Sequence, residues 1–166
     1  MILTPAVALT QVQSPSHEHG TGHLDIAFSD EVFSLSLAVP AADIVGFEGA
    51  ADTDEDRALV AVAISDLSKP LGLFVPPEEA GCFTASANVT LTGEGLGQDT
   101  ADTSAEQHSE FLADYVIQCQ DMAALANIRF AYFDRFENAQ KLVVQVSRSG
   151  KNLAYDVTPS QPDLTL

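Results

Sequence analysis

The sequence predicts an α+β domain: a mostly antiparallel β-sheet with one main helix packed on it, closed by one disulfide. Three observations predict this. Two stretches alternate apolar and polar residues with period two and are joined by a short turn. One stretch repeats its apolar residues at helical spacing behind a capping signal. A second alternating pair surrounds a polar turn near the C-terminus. Strands and one helix that do not alternate regularly along the chain belong to the α+β class.

The first pair opens with Leu24, Ile26 and Phe28, followed by a turn at Ser29-Asp30-Glu31. Phe33, Leu35, Leu37 and Val39 then alternate with small and polar residues until Pro40 ends the run. Ile44 to Phe47 reads as a short apolar link. For the helix, Thr53 is the N-cap and Asp56 the partner of a weak capping box. Asp54 and Glu55 lie at the positive end of the dipole. Leu59, Val60, Ala63, Ile64 and Leu67 form its apolar face, and Pro70 stops it.

Leu71 to Val75 reads as a helical turn. A third strand spans about Cys82 to Leu91, with Phe83, Ala85, Ala87, Val89 and Leu91 on one face. Gly93 to Glu106 is polar, acidic and glycine-rich, a loop. A fourth strand covers Ser109 to Cys119, with Phe111, Ala113, Tyr115 and Ile117 inward and Asp114 and Gln118 outward. Asp121 to Leu125 reads as one helical turn capped by Asp121, and the aromatic stretch Ile128 to Phe136 as a core plug. Leu142 to Ser147 and Leu153 to Val157 make the second hairpin, and Leu164 to Leu166 a closing edge strand.

Residues 1–14 are set aside as a signal-peptide remnant or a disordered start. They carry no Lys or Arg, and Ala6-Val7-Ala8 resembles a cleavage site. Residues 15–166 form a single domain.

Composition narrows the function. Seven Lys and Arg stand against 24 Asp and Glu, a net charge of −17. Nucleic acid and anionic membrane surfaces are poor partners for such a chain, because phosphate binding rests on Lys and Arg. A cation or a basic surface suits it. By count, the two cysteines fit a reduced pair or an exported disulfide equally. Their positions favour the disulfide: Cys82 opens one strand-like run and Cys119 closes another, and the two can pair if those strands are neighbours.

Three of the four histidines fall in His17-Glu18-His19-Gly20-Thr21-Gly22-His23. In extended chain, residues i and i+2 share a face, so His17 and His19 reach one ion. Gly20 and Gly22 let the chain bend so that His23 joins them. Neutral imidazole suits Zn²⁺, which takes four tetrahedral N, S or O donors. The fourth donor is His108 or a carboxylate, with Glu18, Asp25 and Glu110 as candidates. The competing readings are a solvated histidine cluster and the remnant of a tag; interruption by other residues and direct continuation into a strand argue against the tag. Ligation by neutral imidazole makes binding weaken below about pH 6.

The sequence offers little for catalysis. It has no HExxH, no GxSxG and no phosphate-binding glycine loop. Gly93-Glu94-Gly95-Leu96-Gly97 lacks both a lysine and a strand-to-helix pattern. The chain therefore reads as a binding protein and not as an enzyme.

Several segments together resemble the ZrgA-type periplasmic proteins linked to bacterial zinc uptake. They are His17 to Ala27, Pro40-Ala41-Ala42-Asp43-Ile44-Val45-Gly46-Phe47-Glu48, Ala80-Gly81-Cys82, His108-Ser109-Glu110-Phe111 with Tyr115 and Cys119, and Phe133-Asp134-Arg135-Phe136. The resemblance covers residues 17–166. It implies a periplasmic protein that binds zinc and assists its acquisition beside a zinc ABC transporter and its solute-binding component. His17, His19, His23 and His108 match family histidines, and Cys82 and Cys119 its cysteine pair. Two departures are plain. The central loop carries Asp99, Asp102 and Glu106 but no histidine, and Gly49 stands where the family often has a histidine. The alternative function is a protein-interaction module that keeps the scaffold without the metal.

Overall fold

The computed structural model describes residues 19–93 and 109–166. Its strands are β1 (Thr21–Phe28), β2 (Val32–Pro40), β3 (Phe74–Val75), β4 (Cys82–Thr92), β5 (Glu110–Cys119), β6 (Asn127–Phe130), β7 (Lys141–Arg148), β8 (Lys151–Val157) and β9 (Asp163–Thr165). Its helices are α1 (Ala41–Val45), α2 (Asp54–Leu67), α3 (Pro70–Leu73) and α4 (Tyr132–Arg135). The predicted signal remnant and nearly all of the central loop lie outside the described residues.

Six strands form one sheet in the order β4-β5-β2-β1-β7-β8. All pairs are antiparallel except β1 with β7, which run parallel at the centre. The α+β fold with a mostly antiparallel sheet and one main helix is therefore the fold observed. Both predicted hairpins form, pairing Leu24 with Leu37 and Val144 with Tyr155. Alternation delivers one buried face: Leu24, Ile26, Leu35, Leu37, Phe111 and Ile117 are all within 2% of full burial.

The capping box at Thr53 and Asp56 forms as predicted, with the Asp56 N–H donating to Thr53 Oγ1 at 3.0 Å. Helix α2 buries Val60, Ala63 and Leu67. Leu59 departs from the prediction and is 45% exposed, because it lies one helical step off the stripe through 60, 63 and 67. The Tyr115 hydroxyl, on the buried face of β5, donates to the Leu67 carbonyl at 2.8 Å and ties sheet to helix.

Strand β4 is an edge strand, and its predicted single apolar face is broken. A β-bulge between Thr84 and Ser86 shifts the register. Val89 and Leu91 stay on the core side, while Phe83 turns outward opposite Gln118 and is 49% exposed. At its start Cys82 faces Cys119 in register, and the two form a disulfide across a sequence separation of 37 residues.

Three other readings change. Ile44 and Val45 complete α1, which begins after Pro40 and ends at Gly46 with φ of 87°. The predicted turn at Leu71 to Val75 splits: α3 ends at Leu73, and Phe74–Val75 pairs with β6 in a second sheet, β3-β6-β9. Strand β9 is the predicted closing strand, but it closes this small sheet. Asp121 caps a turn and not a helix, its Oδ1 accepting the N–H groups of Ala123 and Ala124. The aromatic plug forms as predicted: Phe130, Tyr132, Phe133 and Phe136 are buried, with Tyr132 stacked on Phe74 at 6.1 Å.

Candidate metal centre

The histidine arm enters the fold at one turn. Gly20 has φ of 81°, a backbone state that a side chain rarely adopts. Its carbonyl accepts the N–H groups of Gln140 and Lys141 at 2.9 and 2.8 Å. Its own N–H donates to Asp43 Oδ1 at 2.8 Å. The arm is thus pinned between the start of β7 and α1. Gly22 does not bend the chain as predicted. It lies inside β1, where an added Cβ would come within 2.5 Å of Val39 Cγ1 and 2.8 Å of Leu142 Cδ2. Glycine there answers a close approach of neighbouring side chains, not a change of direction.

His19 stands over the loop that follows α1. Its Nδ1 lies 2.9 Å from Glu48 Oε1, with the imidazole 69% and the carboxylate 25% exposed. The loop itself is clamped. The Ser109 N–H donates to the Glu48 carbonyl at 3.3 Å, and the Ala41 N–H donates to the Ser109 carbonyl at 2.8 Å. Ser109 is the residue after His108, so the start of β5 is bound to the same residue that meets His19.

Beneath the pair sits Asp43, 4% exposed. Burial raises its pKa; the Gly20 N–H and the charge of His19 act in the opposite direction, and Glu48 adds to the rise. Among the described residues, Asp43 Oδ2, Ser109 Oγ and Tyr132 OH are buried without a hydrogen-bond partner. Burial also pushes the Tyr132 phenol well up, with Asp43 contributing.

Of the predicted ligands, His17 and His108 lie outside the described residues, as does Glu18. His23 sits on the exposed face of β1, opposite Ala38 on one side and Val143 on the other. Asp25 shares that face, and Glu110 begins β5. Among the described residues, no three His, Cys, Asp or Glu side chains form a group placed to hold a metal. What the fold brings together is His19 with Glu48, above Asp43. Both cysteines are spent in the disulfide, so donors must come from nitrogen and oxygen.

Sequence reasoning missed Glu48 and Asp43. Spacing cannot connect position 48 to position 19. A signal for Asp43 does exist: it is the lone charge in the apolar run Ala41 to Phe47, where a charge is either a solvated interruption or a buried bonding partner.

These features define a disulfide-bonded α+β domain that holds a histidine against a carboxylate and keeps no thiol. The family model for the ZrgA family zinc uptake protein matches residues 16–166, nearly the whole chain, and the chain belongs to this family. No curated protein matches the chain. The family is described by zinc uptake and not by a catalytic activity. Family and disulfide are both consistent with an exported protein. Among the described residues no helix is long and apolar enough to cross a membrane.

Proposed function

We propose that this chain is a periplasmic zinc-binding protein that assists zinc acquisition or buffers the ion, working beside the solute-binding component of a zinc ABC transporter. His17, His19, His23 and His108 are its proposed nitrogen donors. The observation that carries the reading is the placement of His19: within a chain of a zinc uptake family, its imidazole is already held beside a carboxylate. The bond from Ser109 to Glu48 supports His108 as a further donor, since His108 directly precedes Ser109 in sequence. The net charge of −17 favours accumulation of a divalent cation.

The test is a zinc titration by calorimetry on the wild-type chain beside a His17→Ala/His19→Ala double variant. Tight one-to-one binding that the double variant loses supports the reading. Equal binding in both proteins, or none in either, rejects the histidine site.

A further inference from the structure

We infer that Glu48 is an oxygen donor to the bound zinc, completing with His19 the half of the site that the folded scaffold fixes before the metal arrives. This rests on the zinc-binding reading above and adds a ligand that the histidine pattern does not contain.

Zinc bonds imidazole nitrogen at about 2.0–2.1 Å and carboxylate oxygen at about 2.0–2.2 Å, so two donors of one tetrahedral ion sit about 3.3 Å apart. His19 Nδ1 and Glu48 Oε1 are 2.9 Å apart. An opening of about 0.4 Å admits the ion between them.

The second observation is the fixed backbone around both residues. Glu48 is held through its carbonyl by Ser109, and His19 through the Gly20 N–H by Asp43. A donor pair built on anchored main chain loses little freedom when it closes on an ion. The third is the buried carboxylate below. Asp43 is 4% exposed and bonds Gly20 through Oδ1, while Oδ2 has no partner among the described residues. Asp43 interacts electrostatically with both His19 and Glu48, so it belongs to the same polar cluster. The Glu48 carboxylate beside the His19 imidazole, with no free thiol in the chain, makes a mixed nitrogen and oxygen pair. That set suits Zn²⁺ and disfavours the soft ion Cu⁺.

The test compares zinc affinity of the wild-type chain with Glu48→Gln and His19→Ala, using zinc chloride as the only added ligand. Glu48→Gln keeps the size of the side chain and the backbone bond to Ser109 while removing the donor charge. We expect it to weaken zinc binding by at least about tenfold. A zinc-loaded crystal measured at the zinc absorption edge then places the metal within about 2.2 Å of a Glu48 oxygen. Affinity of Glu48→Gln within twofold of wild type, while His19→Ala loses binding, overturns the assignment and leaves the zinc reading standing. So does a metal farther than about 3 Å from Glu48 in the crystal. Absence of binding in the wild type overturns the zinc reading itself.

Discussion

Asp43 Oδ1 accepts the Gly20 N–H at 2.8 Å, and through that one bond a buried carboxylate in α1 fixes the turn from which His19 projects. Removing its side chain strands a buried donor. Asp43→Ala should lower stability by about 1–3 kcal/mol in denaturant unfolding of the metal-free protein. An unchanged midpoint would mean that Gly20 is held by Gln140 and Lys141 alone.

The same carboxylate gives a pH signature. Its pKa is raised in the fold, chiefly by burial, so the folded state favours the protonated form. The stabilisation from that shift is fully present below the unfolded value of 3.8 and is lost as pH rises through the folded value. Asp43→Asn keeps an acceptor for Gly20 and cannot ionise. Stability of this variant relative to wild type should therefore increase from pH 3.5 upward, measured by urea unfolding without metal, and level off once Asp43 is ionised in both states. A difference that is flat with pH would reject the burial argument.

How much of this was legible in sequence follows from the range of the forces involved. Alternation in Leu24 to Val39 and in Phe111 to Ile117 is local, and it predicted strands whose inward residues are buried except Phe28, which is half-buried at the end of β1. The Thr53 and Asp56 box is local too. The β4 register was not legible, since a bulge at Ala85 leaves the apolar spacing intact while turning Phe83 outward. Strands β3 and β6, of two and four residues, are too short for a period to register. The parallel pairing of β1 with β7, which seats Gly22 against Leu142, is a long-range choice. The site divides in the same way. His19 stood out as a candidate because histidines cluster along the chain. Glu48 was missed because only the fold brings it to 2.9 Å from that residue.

Gly22 offers a test of packing at the base of the histidine arm. A Cβ there meets Val39 and Leu142 at distances below van der Waals contact. Gly22→Ala should cost about 1–3 kcal/mol by overpacking, visible as a lower denaturation midpoint. Gly49→Ala is the control, because none of the described residues comes within 4 Å of its added Cβ.

Tyr115 tests the bond between sheet and helix. Its ring is 1% exposed and its hydroxyl meets the Leu67 carbonyl, one of the last acceptors of α2. Tyr115→Phe keeps the ring and should cost about 1–2 kcal/mol, the usual result when a buried acceptor loses its donor. The buried environment that holds the phenol pKa far above its ordinary value predicts a spectroscopic check as well. In a difference titration of tyrosine absorbance to pH 11.5, wild type and Tyr115→Phe should show the same amplitude, because Tyr115 does not ionise in the folded protein.

The disulfide joins the first residue of β4 to the last of β5, so it secures a strand whose outer side has no paired strand among the described residues. Loop-closure entropy for a separation of 37 residues corresponds to about 4 kcal/mol at most. A Cys82→Ser/Cys119→Ser variant should lose much of that, and the loss should fall first on β4, whose side chains are mostly exposed and add little burial of their own. Hydrogen exchange followed residue by residue separates the outcomes. Faster exchange confined to β4 and its partners on β5 would mark the bond as an edge clamp. Uniformly faster exchange across β1, β2 and β7 would instead show that the pair acts on the whole domain by constraining the unfolded chain.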